Sequence, residues 1–328
     1  MAFLWVSIIG LLIAALFALL AWPALRARKP PQKDLQPGPA PEKPSVLEIV
    51  PKSCFVEVDG LKIHYTQAGS GPDIVLLHGI GASVYVWRFL FPLLQTHARV
   101  TAIDIPGFGK STKDATRDHG LDSQSETLAR TLTAIGISNA TLVGSSMGGA
   151  IALWMAKRDP ARFRRVVAIG PATDPRLVPV LADSAGSMAS VLWRFLNRHS
   201  MRFILSRVVS RGELITDECI DRYLEPFRDG AHSLQTFWSA LALLSDKRLP
   251  DHLSGIEAEV LVLYGARDKI VPRASIDRLL KVLPQAKFEA HPDGGHHVME
   301  DEPEWSAEHI LSFVGIADRL EPKIQQSN

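Results

Sequence analysis

The stretch "ATLVGSSMGGAIALWMAKR" (140–158) limits the possible fold more than any other. A short apolar run leads into a cluster of small residues, and that cluster leads into a helical pattern. An apolar run of this length bounded by small residues reads as a buried strand. A strand passing into a helix through one tight turn belongs in a parallel sheet covered by helices on both faces. Within the turn, Gly144-Ser145-Ser146-Met147-Gly148 has the form G-x-S-x-G, with Ser146 at its centre. A serine on a sharp strand-to-helix turn sits in strained backbone with its Oγ above the sheet, and its neighbours must lack bulk. The helix N-terminus beside it favours developing negative charge. A tight turn with a capping serine would have the same letters, so the rest of the chain has to decide.

The same alternation runs through most of the sequence. "CFVEVDGLKIHYTQAG" (54–69) is two alternating runs about Asp59-Gly60, a hairpin signal. "DIVLLHG" (73–79), "ARVTAIDIPG" (98–107), "RRVVAIGP" (164–171), "AEVLVLYG" (258–265) and "AKFEAHPDG" (286–294) read as strands. Residues 123–137, 149–163, 272–284 and 302–315 have helical spacing. The expected fold is α/β, a mostly parallel sheet with helices on both faces. Between Thr173 and Pro250 the pattern changes to helices without strands. That stretch is expected to be a helical lid inserted above the strands' C-terminal ends, where ligands bind in such sheets.

Three further segments carry candidate chemistry. "LLHGIG" (76–81) follows an early strand. An oxyanion needs two backbone N–H donors, one after the nucleophile and one from such a loop. Met147 and Ile80 fill those positions, and His78 reads as structural. "LVLYGARDKIVP" places Asp268 after a strand, and "PDGGHHVMEDEP" places His296 and His297 after the last one. The order nucleophile, acid, base is that of a hydrolase triad. Asp174, after the strand ending at Pro171, is a second candidate acid. Two other motifs fail. "GIGASV" would need a small residue where Val84 stands to be a dinucleotide fingerprint, and "GFGKST" would need glycine where Asp104 stands to be a phosphate loop.

With these residues in place, residues 54–315 resemble the α/β-hydrolase fold family, through "HGIG", "DIPGFGKS", "GSSMGG", "YGARDKIVP" and "GGHHVMEDEP". In that family the base lies in a G-H-x4-acid-x-P context, so Asp301 and Pro303 select His296 over His297. Asp301 stands where glutamate is more usual. The resemblance implies acyl transfer to water with Ser146 as nucleophile, His296 as base, Asp268 as its orienting acid, and Ile80 and Met147 as oxyanion donors. It implies no metal or organic cofactor. Serine at the elbow separates the chain from dehalogenases and epoxide hydrolases, which carry aspartate there. More finely, "GHHVMEDEP" and "AWPAL" look like membrane-anchored monoacylglycerol lipases of the ABHD-six type.

The N-terminus bears on substrate. Residues 2–25 contain one polar side chain, Ser7. At ~1.5 Å per helical residue the run can cross a hydrocarbon core of ~30 Å. No basic residue precedes it, as a signal peptide would need. Arg26, Arg28, Lys29 and Lys33 follow it, which places the remaining chain in the cytoplasm. Residues 26–53 read as a proline-rich linker. The expected division is an anchor (1–25), this linker, a hydrolase core (54–173 and 251–318) and a lid (174–250). Within the lid, "WRFLNRHSMRFILSRVVSR" (193–211) is basic and amphipathic, either a membrane-facing surface or a solvated helix face. A net charge of +1 gives no field for nucleic acid, and Cys54 and Cys219 fit no disulfide or zinc pattern. Anchor and apolar lid favour lipid esters such as monoacylglycerols. The alternatives are small soluble esters, C–C bonds in ring-cleavage products, or a membrane-tethered binding protein without turnover.

Overall fold

The computed structural model describes residues 51–177 and 195–316. All of them belong to the chain's second unit, Glu48–Asn328, and the first, Met1–Leu47, lies outside them. The expected anchor, most of the linker, and Trp193 and Arg194 of the basic run also fall outside. Among the described residues no helix is long and apolar enough to cross a membrane.

Eight strands form one sheet. They are β1 (Ser53–Val58), β2 (Leu61–Ala68), β3 (Asp73–Leu77), β4 (Arg99–Ile103), β5 (Thr141–Ser145), β6 (Arg165–Ile169), β7 (Glu259–Gly265) and β8 (Lys287–His291). Their order is β1-β2-β4-β3-β5-β6-β7-β8. β1 and β2 form the expected hairpin, and Asp59 and Gly60 both have positive φ, as the favoured two-residue turn requires. β2 pairs antiparallel with β4, and every later pairing is parallel. The chain leaves β3 for β4 on one side and later enters β5 on the other. The C-terminal ends of β3 and β5 therefore flank a topological switch point, where an open α/β sheet binds its ligand.

Successive strand residues point to opposite faces, and each face is covered. Val75, Leu77, Leu142, Val166 and Val262 belong to one core with α2 (Leu121–Ala134), α3 (Met147–Arg158) and α7 (Arg273–Val282). Ile74, Leu76, Val143, Val167 and Leu263 belong to the other, with α1 (Leu90–Gln95), the short α8 (Val298–Asp301) and α9 (Pro303–Val314). This is why the central strands read as unbroken apolar runs. α3 is buried from Met147 to Ala156, which matches its apolar composition all round.

Between β6 and β7 lie α4 (Arg198–Val208), α5 (Asp217–Leu224) and α6 (Ala231–Leu244), with no strand among the described residues there. Asn197 caps α4, accepting from the His199 and Ser200 N–H groups. Phe237 of α6 packs against Gly81 in the loop after β3, so this insertion covers the sheet's C-terminal edge.

Candidate active site

The turn at the end of β5 is as tight as its glycines suggest. Ser146 has φ 55 and ψ −116. A non-glycine residue in such a region costs on the order of 1–3 kcal/mol and needs surroundings that over-determine it. They are present: Ser146 N–H donates to Ile169 O at 2.9 Å, and its own carbonyl accepts from Gly149, Ala150 and Ala172 N–H. Two glycines make this geometry possible. A Cβ at Gly144 would lie 2.1 Å from Gly148 O, and one at Gly148 would lie 2.1 Å from Leu77 O. A Cβ on Gly79 would come within 3.2 Å of Ser146 Cβ and 3.8 Å of its Oγ, so the loop carrying Ile80 runs alongside the serine.

His296 and Asp268 meet across two loops. His296 Nδ1–H donates to Asp268 Oδ2 at 2.8 Å, which leaves Nε2 as the acceptor of the neutral ring. Asp268 Oδ1 in turn accepts from Ile270 N–H at 2.7 Å and Val271 N–H at 2.9 Å. Both side chains are buried. Gly170, just past β6, ties this pair to the elbow. A Cβ on Gly170 would lie 3.3 Å from both Asp268 Oδ2 and His296 Nδ1. Its neighbours Ile169 and Ala172 are the residues that hydrogen-bond Ser146's backbone. Imidazole and carboxylate thus meet at a glycine whose flanking backbone is hydrogen-bonded to the serine elbow. The role of Gly170 was not readable from sequence, because it depends on three loops meeting.

Asp174 is engaged elsewhere. It pairs with Arg176, accepts from Ser275 Oγ at 3.1 Å, and lies 3.6 Å from Arg278. Its hydrogen bonds from Arg176, aided by Ser275 and opposed by burial, hold its pKa down at about 2 against an ordinary 3.8. A depressed carboxylate stabilises the fold above its unfolded pKa, and that contribution is lost as pH falls through the folded value. Thermal midpoints measured from about pH 5 to about pH 2 are therefore expected to fall less steeply in Asp174→Asn than in wild type over the range from about 4 down to about 2.

The early motifs are structural. His78 is fully buried, with Nδ1 bonded to Gly79 O at 2.7 Å and Nε2 accepting from Ile105 N–H at 3.0 Å. Burial outweighs the nearby Asp104 carboxylate and pushes its pKa down. Asp104, in the place where a phosphate loop would need glycine, accepts from His64 Nδ1 and from the Val84 and Lys110 N–H groups. A Cβ on Gly109 would collide with that carboxylate at 2.1 Å. Asp301 is equally structural. It accepts from Gly295 N–H at 2.7 Å and from Ser210 and Arg211 N–H at 3.0 Å, joining the histidine loop to the end of α4.

Three described arginines of the basic run are paired with acids outside it. Arg198 pairs with Asp217 and Asp221, and Arg202 pairs with Asp217, all across to α5. The acids that the run itself lacks come from the next helix. Phe195, Phe203 and Ile204 remain exposed beside it. Among the described residues no three potential metal ligands cluster.

A mostly parallel sheet with a serine elbow, a buried His–Asp pair and helices inserted before β7 defines an α/β hydrolase. The chain belongs to the alpha/beta hydrolase fold family, which it matches over residues 72–303. It is 29% identical over 265 residues to the uncharacterized hydrolase YugF of Bacillus subtilis, covering 78% of this chain and 96% of that one. It is also 29% identical to a 2-hydroxy-6-oxononadienedioate/2-hydroxy-6-oxononatrienedioate hydrolase of Paraburkholderia phymatum, covering 78% and 91% of the two chains. Among solved structures it is similar to a serine hydrolase involved in carbazole degradation, CarC, with 25% identity, a TM-score of 0.69, and coverage of 81% and 99%. Of these relatives one is named for 2-hydroxy-6-oxo acids and one for carbazole degradation, and none for monoacylglycerols, so the finer likeness to monoacylglycerol lipases is not shown.

Proposed function

We propose that the chain is a serine hydrolase in which Ser146 Oγ attacks a carbonyl carbon and His296 Nε2 takes its proton. Asp268 holds the imidazole in the required tautomer and stabilises the imidazolium. The Ile80 and Met147 N–H groups stabilise the oxyanion, each worth about 3–4 kcal/mol of barrier. The tetrahedral intermediate then expels its leaving group with the proton from His296, and a water activated by His296 releases the acid. The reading is supported by the strained Ser146 backbone, hydrogen-bonded to Ile169 and Ala172, and by the buried His296–Asp268 pair that packs at Gly170 between those two residues.

For substrate, the reading supported best is a ketone whose leaving group is carbon, as in the 2-hydroxy-6-oxo acids named for the 29%-identical relative. The 2-hydroxy group first ketonises, and its proton is replaced by one delivered to the carbon beside the 6-oxo group. The bond from that carbon to the carbonyl then breaks, and its electron pair delocalises through the remaining double bond into the 2-oxo group. The same site would cleave small soluble esters. A second reading, lipid esters, is favoured by exposed Phe195, Phe203 and Ile204 and by the apolar run at 2–25, with its expected cytoplasmic catalytic domain. A substrate panel separates them: p-nitrophenyl esters of increasing length, a monoacylglycerol, and a chromogenic 2-hydroxy-6-oxo dienoate. Highest kcat/KM on the dienoate supports the first reading. Highest kcat/KM on the monoacylglycerol supports the second and overturns the first.

The orienting acid has its own test. Asp268→Asn is expected to lower kcat by about 10⁴-fold, because the wrong tautomer faces Ser146. Asp174→Asn should leave kcat within about threefold, since its partners are Arg176, Ser275 and Arg278. A larger loss from Asp174→Asn would reassign the acid.

A further inference from the structure

The triad leaves its second histidine unused, yet His297 is elaborately held. Its ring stacks on that of His296, with centroids 5.4 Å apart and planes 26° apart. Its Nδ1 lies 2.8 Å from Glu300 Oε1, and its backbone N–H donates to Val208 O at the end of α4. Glu300 is buried and also accepts from the Tyr223 hydroxyl of α5. Its other oxygen lies 2.5 Å from Arg88 Nη1. The Arg88 guanidinium sits over the rings of Tyr85 and Phe89, in the segment that follows the Ile80 loop. Burial pushes the Glu300 pKa up, but Arg88 and the bonds from His297 and Tyr223 outweigh it, so the carboxyl stays below its ordinary value.

Stability alone does not account for such a cluster. A buried ion pair is often replaceable by apolar residues of similar volume at no loss, because desolvation offsets the attraction. Its position is the informative feature. It joins the segment after β3, the inserted helices and the histidine loop, and its one ring contact with the triad is the face of His296. The hydrogen bond to Asp268 fixes one atom of that ring but not the tilt about the bond. A second ring, itself held by a carboxylate, lies stacked against it.

We propose that His297, oriented by Glu300, is a positioning residue for His296, and that Tyr223 completes its hydrogen-bond set so that seating of the inserted helices and orientation of the base are coupled. This rests on the triad reading. Misplacing a base by a fraction of its reach costs about 10- to 100-fold in rate while leaving binding little changed.

The test uses the full chain and a p-nitrophenyl ester. His297→Phe keeps a ring but loses the tie to Glu300. The pair Arg88→Met with Glu300→Leu removes both buried charges together, avoiding an orphaned one. Both are expected to lower kcat about 10- to 100-fold with KM within about threefold, and Glu300→Gln, which can still accept from His297, to lose less. The downfield proton resonance of the His296–Asp268 hydrogen bond should shift or broaden in the first two. An unchanged kcat in His297→Phe, or a change confined to KM, overturns the proposal. Hydrolysis that survives Ser146→Ala at the wild-type rate would instead overturn the triad itself.

Discussion

Ser146→Ala is expected to lower kcat for any substrate the protein turns over by about 10⁴-fold or more, because the members of a triad act as a unit. The residue that remains would come from oxyanion donors and binding alone. The fold should survive the change. The hydrogen bonds that hold the elbow use the Ser146 backbone alone, its N–H donating to Ile169 O and its carbonyl accepting from Gly149, Ala150 and Ala172 N–H, and alanine keeps all of them. Circular dichroism melts of the two proteins are thus expected to agree within a few degrees while their rates differ by orders of magnitude. A variant that melts like wild type and hydrolyses like it would remove Ser146 from the chemistry.

The second large effect falls on stability. Gly148→Ala would place a Cβ 2.1 Å from Leu77 O and 2.6 Å from His78 O. Both are backbone atoms of the central strand or its exit. Leu77 cannot retreat without disturbing its register with Gly144 on one side and Ile103 on the other. Overpacking against immovable backbone is expected to cost about 3 kcal/mol or more. For a domain of this size that is a fall of roughly 6–12 °C in thermal midpoint. Gly136→Ala is the control. Its φ of +78 is also left-handed, but a Cβ there meets nothing within 4 Å, so only about 1 kcal/mol of backbone strain is expected. Equal melting points for the two variants would mean that the elbow is looser than its geometry indicates.

The sheet was legible because of where its strands lie. β3, β5, β6 and β7 are covered on both faces, so their sequences are unbroken apolar runs with small residues at their ends. The hairpin was legible because Asp59-Gly60 can take the positive φ values it requires. Ser146 was legible because its turn forbids side chains at Gly144 and Gly148, which leaves a spacing in the sequence. Pairings between distant segments left no such mark. Asp174 and Asp268 both follow strands, and only the folded chain brings His296 to Asp268 while Asp174 faces Arg176. The run 193–211 read as strongly basic because Asp217 and Asp221, which neutralise Arg198 and Arg202, lie beyond it in the chain. The cluster of Arg88, Tyr223 and Glu300 was hidden for the same reason. Its one local clue was the spacing of His297 and Glu300, three apart. Substrate preference was least legible, since pocket shape depends on how α4, α5 and α6 pack over the sheet.

In the proposed mechanism a buried hydroxyl on a strained turn is activated by His296. The most direct measurement is reaction with a fluorophosphonate, followed by intact mass and peptide mapping. One adduct is predicted, on the peptide carrying Ser146, absent in Ser146→Ala and strongly slowed in His296→Ala. Failure to label, or an adduct on Ser145 or another serine that persists in Ser146→Ala, would contradict it.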